Sequence, residues 1–204
     1  MEIRKRPNIF EYATKEFSLD AMVRWFLECI SCKEPYKSVG EAFVRDFIFM
    51  ESKCDINKPI SLLMCENQFK KIDVFSLISC DNKVYPIIFE NKVDSWLHGD
   101  QFKNYCRIVA DLIKKESKEL DELTSGDTIK IPEDYNYGGI HFILFKTGRI
   151  FEDEKIDFEE KKKELYKEFN SKENNEQSLY ASYRSLDGIF NHKRTWDTLS
   201  RKVV

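Results

Sequence analysis

Apolar residues along this chain repeat with two different periods. Leu19, Met22, Val23, Phe26, Leu27 and Ile30 keep a three-and-four spacing, the stripe of an amphipathic helix that Ser18 would cap. Val39, Phe43, Phe47 and Ile48 repeat in the same way behind Ser38-x-x-Glu41, which has the form of a capping box, and Asn8-x-x-Glu11 has that form as well. The pattern then changes. Residues 72–78 and 84–89 are short apolar runs on either side of Asp81-Asn82-Lys83, and they predict a β-hairpin. A strand at residues 61–65 would precede it. Helical spacing returns behind Asp100, an N-cap type, through Ile108, Val109, Leu112 and Ile113, and ends in the charged residues 114–122. Residues 124–137, with Gly126 and Pro132, read as a loop. Residues 140–145 are apolar on both faces, which predicts a covered inner strand holding His141. Beyond Gly148, Asp157-x-x-Glu160 opens a helix with a thin seam of Phe158, Leu165 and Phe169. A polar linker at residues 171–177 leads to an aromatic segment with Tyr180, Tyr183, Phe190 and Trp196.

Helices, a hairpin, a helix and a strand, in that order, predict an α/β protein with a mixed central sheet flanked by helices. With 204 residues, of which 42% are hydrophobic, the chain can build a sizeable core. The expected division is a core over residues 1–150 and a helical extension over 151–204 packed on the same domain.

Charge adds little to the fold but narrows the function. Charged residues make up 34% of the chain, yet the net charge is only −3. That balance argues against non-specific binding of nucleic acid by the whole surface and leaves room for a local basic groove. The charged start carries no secretory signal, and no stretch reaches the ~18 apolar residues of a membrane span, so the expectation is a soluble cytoplasmic protein. Of the six cysteines only Cys29 and Cys32 are closely spaced, so reduced, mostly buried thiols are expected rather than zinc.

The hairpin carries the candidate chemistry. Asp73 opens its first run, and the second ends in Glu90-Asn91-Lys92. Antiparallel pairing would bring Asp73 close to Glu90, and strand alternation puts Glu90 and Lys92 on one face with Asn91 on the other. Two close carboxylates repel, and one takes up a proton unless a cation lies between them. Mg²⁺ or Mn²⁺, held by oxygen ligands and completed by water and a substrate phosphate, would satisfy such a pair. Lys92 would stand beside it as a point charge for a phosphate oxygen or an attacking water. Strand ends of a plain surface hairpin are the alternative. Gln101 and Tyr105 share a helix face just downstream. His98 is either a polar loop residue or a group for substrate contact and proton transfer. Lys70 and Lys71 are either a solvated strand entry or a phosphate contact. Asp20, in the first turn of its helix, would compensate the dipole.

Asp73, Glu90-x-Lys92 and Gln101-x-x-x-Tyr105 together resemble the PD-(D/E)XK nuclease superfamily, in particular its RecB-like branch. Ile72 stands where the motif has Pro. Residues 8–12 and 25–27 are similar to the opening of small stand-alone members, and the resemblance covers roughly residues 8–148. It implies a restriction-endonuclease-like core and metal-dependent cleavage of phosphodiester bonds in DNA, or in RNA. It also implies a metal on Asp73, Glu90 and the Asn91 carbonyl, with Gln101 positioning Lys92 or a phosphate and Tyr105 buttressing that geometry or touching the scissile strand. Asp20, and less so Glu11, would be an extra acid over the metal. Work in repair, mobile elements or anti-phage defence is a further implication. A silent nucleic-acid or protein-binding module on the same fold is the alternative, and the aromatic C-terminal segment, interleaved with Arg184, Lys193, Arg194, Arg201 and Lys202, offers a nucleic-acid contact or a homodimer contact.

Overall fold

A computed structural model describes residues 15–51, 55, 57–93, 95–114, 136–147, 151–169 and 178–185. The expectations for Asn8 to Glu11, residues 115–122, 124–135 and 171–177, and for Phe190, Lys193, Arg194, Trp196, Arg201 and Lys202 lie outside these residues.

Two helices come first, α1 (Lys15–Cys29) and α2 (Tyr36–Phe43), the second running into a π turn at Val44–Ile48. The expectations at Ser18, Ser38 and Asp157 need correction, the last because its helix already begins at Glu152. Helix α1 begins at Lys15, so Ser18 lies within it and Asp20 falls in its second turn, away from the dipole end. Helix α2 has Pro35 at its N-cap with no side-chain cap. Ser38 is already inside it, and its hydroxyl donates to Glu34 Oε2 at 2.6 Å, while Glu41 pairs with Arg45 at 2.8 Å. The polar spacing that suggested capping boxes is spent on i,i+4 contacts instead. Where α1 turns into α2, a Cβ on Gly40 would lie 2.6 Å from the Ile30 nitrogen and 2.7 Å from the Phe26 carbonyl oxygen, so only glycine permits this approach.

The sheet follows. Strands β1 (Ile60–Phe69), β2 (Ile72–Cys80) and β3 (Lys83–Lys92) form an antiparallel meander. Asp81 and Asn82, at φ 51° and 59°, make the two-residue turn between β2 and β3 in the left-handed conformation that matches strand twist. Lys83 therefore belongs to the strand and not to the turn. Helix α3 (Gln101–Lys114) comes next, then the short β4 (Asn136–Tyr137) and the inner strand β5 (Ile140–Lys146). Helix α4 (Glu152–Phe169) and β6 (Leu179–Ser185) complete the described chain. The strand order is β1-β2-β3-β5-β6, with β3, β5 and β6 parallel and β4 paired with β3.

The reading of residues 151–204 as a helical extension is thus corrected at β6. Tyr180 and Tyr183 have helical spacing, but Leu179 and Ala181 pack towards α4 while Tyr180 lies on the other face beside His141. Burial on both faces, not a stripe, sets that segment. Helices α1 and α2 cover one face of the sheet over Val74, Ile87, Phe89 and Phe145. Helices α3 and α4 cover the other over Phe75, Ile88, Phe142 and Leu144. Among the described residues no helix is long and apolar enough to cross a membrane.

His141 packs among the rings of Phe49, Tyr85 and Tyr180, with centroids 4.9–5.7 Å away. Burial pushes its pKa down from 6.5 to about 3. The unfolded imidazole gains its proton near pH 6.5 and the folded one only near 3, so its contribution is intact above pH 6.5 and is lost as pH falls through that window. The expected slope from this one group is about 1.4 kcal/mol per pH unit. Urea unfolding at pH 7.5 and 5 should show it in wild type, and the loss on acidification should be smaller in His141→Phe.

Candidate active site

The hairpin fixes the heart of the site. Val74 pairs with Phe89, so Asp73 comes next to Glu90 at the end of the β2–β3 ladder. Asp73 Oδ2 accepts the Asn91 backbone N–H at 2.7 Å, and Lys92 Nζ lies 2.6 Å from Glu90 Oε1. Glu90 is 1% exposed and Lys92 7%. The second Glu90 oxygen, Oε2, is buried without a hydrogen-bond partner. Burial, and then the neighbouring Asp73, push the Glu90 carboxyl up from 4.5 to about 7, against the pull of Lys92. Asp20 adds to the upward push.

Asn91 works on both faces of β3. Its backbone serves Asp73, while its side-chain Nδ2 donates to Asp20 Oδ1 at 2.6 Å on the α1 side. Asp20 is 3% exposed and reaches the cluster from α1. Gln68 closes the ring: its Nε2 lies 3.4 Å from Asp20 Oδ2 and 3.3 Å from Asp73 Oδ1. The sequence reading missed Gln68, because the strand expected at residues 61–65 stopped short of it. Extending that strand to the Lys70-Lys71 turn would have put Gln68 opposite Asp73.

Helix α3 braces the same end of the sheet. Tyr105 donates its hydroxyl proton to the Lys71 carbonyl at 2.8 Å, and Gln101 Nε2 lies 3.3 Å from that hydroxyl. Burial and then the nearby Glu90 raise the Tyr105 pKa. Gln101 Oε1 accepts the His98 backbone N–H at 2.9 Å, so Gln101 is bonded to the preceding loop and to Tyr105 rather than to Lys92. His98 itself is exposed and holds Gln101 through its backbone. Lys70 and Lys71 form the exposed turn just before Asp73, both at positive φ (48° and 72°), a conformation that non-glycine residues adopt at a cost of roughly 1–2 kcal/mol.

The donor set suits a hard divalent cation: carboxylate oxygens from two strands, one of them buried without a hydrogen-bond donor. Among the described residues no group of three or more His, Cys, Asp or Glu side chains is arranged to hold a metal. Any ion here would therefore rest on two carboxylates and complete its shell with backbone, water or phosphate oxygens. The described cysteines are free thiols.

A mixed six-stranded sheet between helical layers, with two acids and a lysine gathered at the end of a hairpin, defines an α/β restriction-endonuclease-like fold. A family model for the PD-(D/E)XK nuclease superfamily matches residues 7–126, more than half of the chain. The chain belongs to that superfamily. Its members are generally nucleases, and they generally use divalent metals. No curated protein and no solved structure gives a significant match.

Proposed function

We propose that this protein is a divalent-metal-dependent phosphodiesterase acting on nucleic acid, with DNA the foremost substrate, Mg²⁺ or Mn²⁺ the cofactor and Asp73, Glu90 and Lys92 its reactive set. The observation that carries this reading is the Glu90 carboxylate, buried beside a second acid with one oxygen lacking a donor. Isolated burial of such a pair is costly, and a bound cation removes the cost. Asp73, Glu90 and the Asn91 carbonyl would hold the ion, which when bound lowers the pKa of water and offsets charge on the phosphate. Asp20 holds Asn91 in place from α1. Lys92 stands ready to orient the attacking water or to neutralise charge developing on a phosphate oxygen. Tyr105, bonded to Lys71, fixes the turn that leads into Asp73, and Gln101 holds Tyr105. Lys70, Lys71 and His98 are exposed, the two lysines in the turn before Asp73 and His98 bonded to Gln101, and would meet a nucleic-acid backbone.

Plasmid, linear duplex, single-stranded DNA and RNA, each incubated with Mg²⁺, Mn²⁺ or EDTA, test the reading. Metal-dependent cutting supports it and names the substrate. No cutting in any lane, together with no metal binding, would overturn it in favour of a silent binding module. Binding should also be visible without turnover. At Mn²⁺ concentrations near 100 times Kd, stability should rise by about 2.7 kcal/mol. A thermal melt should therefore shift upwards in wild type and stay put in Glu90→Gln. Protons compete with the ion for Glu90, so the shift should shrink as pH falls below about 7.

A further inference from the structure

Strand β5 places a second lysine beside Lys92. Lys146 is its register partner across the parallel β3–β5 ladder, so the two side chains leave the sheet on the same face, side by side on adjacent strands. Lys146 is 0% exposed. Its Nζ lies 2.5 Å from Glu154 Oε1 on α4 and 5.1 Å from the centre of the Trp96 ring. Trp96 belongs to the connection between β3 and α3. Its indole N–H donates to Asp157 Oδ2 at 2.7 Å, and Asp157 also holds Lys161 at 2.7 Å. Tyr183 of β6 lies 6.2 Å from Trp96, ring centre to ring centre. The other carboxylate oxygen of Glu154, Oε2, accepts the Phe151 backbone N–H at 3.1 Å.

Two features make this more than core packing. First, two ammonium groups side by side on adjacent strands would compete for one carboxylate, yet each has its own: Glu90 for Lys92 and Glu154 for Lys146. Second, Trp96 spans from the loop to both Lys146 and α4, and two residues further on His98 forms its reciprocal bonds with Gln101. A buried ion pair is a poor source of stability, since an apolar pair of similar volume does as well or better. What it supplies here is a fixed seat for an aromatic ring, and through the ring a fixed loop.

We infer that Lys146 and Glu154, from the C-terminal half of the chain, form a positioning clamp on Trp96 that holds the β3–α3 connection and with it the Gln101–Tyr105 brace of the active site, while Glu154 keeps Lys146 from competing with Lys92 for Glu90. This rests on the nuclease reading only for its kinetic consequence. The clamp itself is a statement about the loop.

The test uses the full chain carrying Lys146→Met and Glu154→Met together, which removes the pair without stranding a buried charge. Its melting temperature should stay within a few degrees of wild type. Amide hydrogen exchange at His98 and Gln101 should speed up at least tenfold, with strands β2 and β3 still protected. On the best substrate, kcat should fall ten- to a hundredfold, with KM and Mn²⁺ affinity little changed, and Trp96→Phe should fall between the two. Unchanged protection at His98 and Gln101 in a folded double variant would overturn the clamp, whether or not the protein cuts. If the wild type cuts nothing while protection is lost as expected, the clamp stands and the nuclease reading is what fails. If the double variant does not fold, the single Trp96→Phe exchange experiment decides by the same two amides.

Discussion

Lys92→Ala and Glu90→Gln should each lower cleavage by about 10²–10³-fold or more, the range seen when one preorganised charge or donor is removed from a transition state. Neither should unfold the protein. In Lys92→Ala the abandoned Glu90 already holds its proton up to about pH 7, so it can become neutral rather than remain a bare buried charge. Glu90→Gln leaves the buried Lys92 ammonium without its carboxylate, so in the metal-free protein its effect is read as a change relative to wild type with pH. The folded pKa of Glu90, about 7, lies above its ordinary 4.5. Its favourable contribution is therefore complete below pH 4.5 and is lost as pH rises to 7, leaving a desolvated carboxylate next to Asp73. The glutamine variant should gain on wild type over that window in denaturant melts at graded pH, with no metal present. Full activity in either variant would remove Glu90 and Lys92 from the reactive set.

Cutting the chain after residue 150 should abolish folding, even though the family match ends well before that point. Helix α4 and β6 bring Phe158, Leu165, Phe169, Leu179 and Ala181 into the layer that covers Phe75, Ile88, Phe142 and Leu144. Phe102 stacks between Phe142 and Phe158, with ring centres 4.1 and 5.3 Å away. Each fully buried Phe or Leu contributes roughly 1.5–3 kcal/mol, so four of them rival the ~5–15 kcal/mol that holds a whole domain together. A truncated chain would also expose β5, apolar on both faces, as a raw edge. Circular dichroism and limited proteolysis of residues 1–150 should find little cooperative structure. A sharp melt close to that of the full chain would show that residues 151–185 are an appendage instead.

The hairpin was legible because its signals agree at every level. Residues 72–78 and 84–89 are strand-like, and Asp81 and Asn82 are residue types that accept positive φ. Once the turn is fixed, register alone brings Asp73 beside Glu90. The buried stripe of α1 and the double-sided burial of β5 were legible for the same reason. The start of α3 was legible too, directly behind Asp100, but the starts of α1 and α2 were not. Ser18 and Ser38 carry the chemistry of caps, but the helices begin where packing allows, at Lys15 and Tyr36. The burial of Lys146 was not legible, since nothing local announces that a lysine will be fully buried. Its carboxylate partner comes from α4 and its aromatic neighbour from the loop before α3, so only the tertiary fold brings them together. Gln68 escaped for a related reason, being defined by what lies across the turn rather than by its own neighbours.

Asn91 ties together two layers that a strand ordinarily keeps apart. Its main chain belongs to the acid pair and its amide to α1. The alignment of Asp73 with Glu90 therefore depends on the helical layer behind the sheet as well as on the one in front. A chain with only one layer docked would hold the right residues in the wrong arrangement, so catalytic competence reports that the whole sandwich has closed.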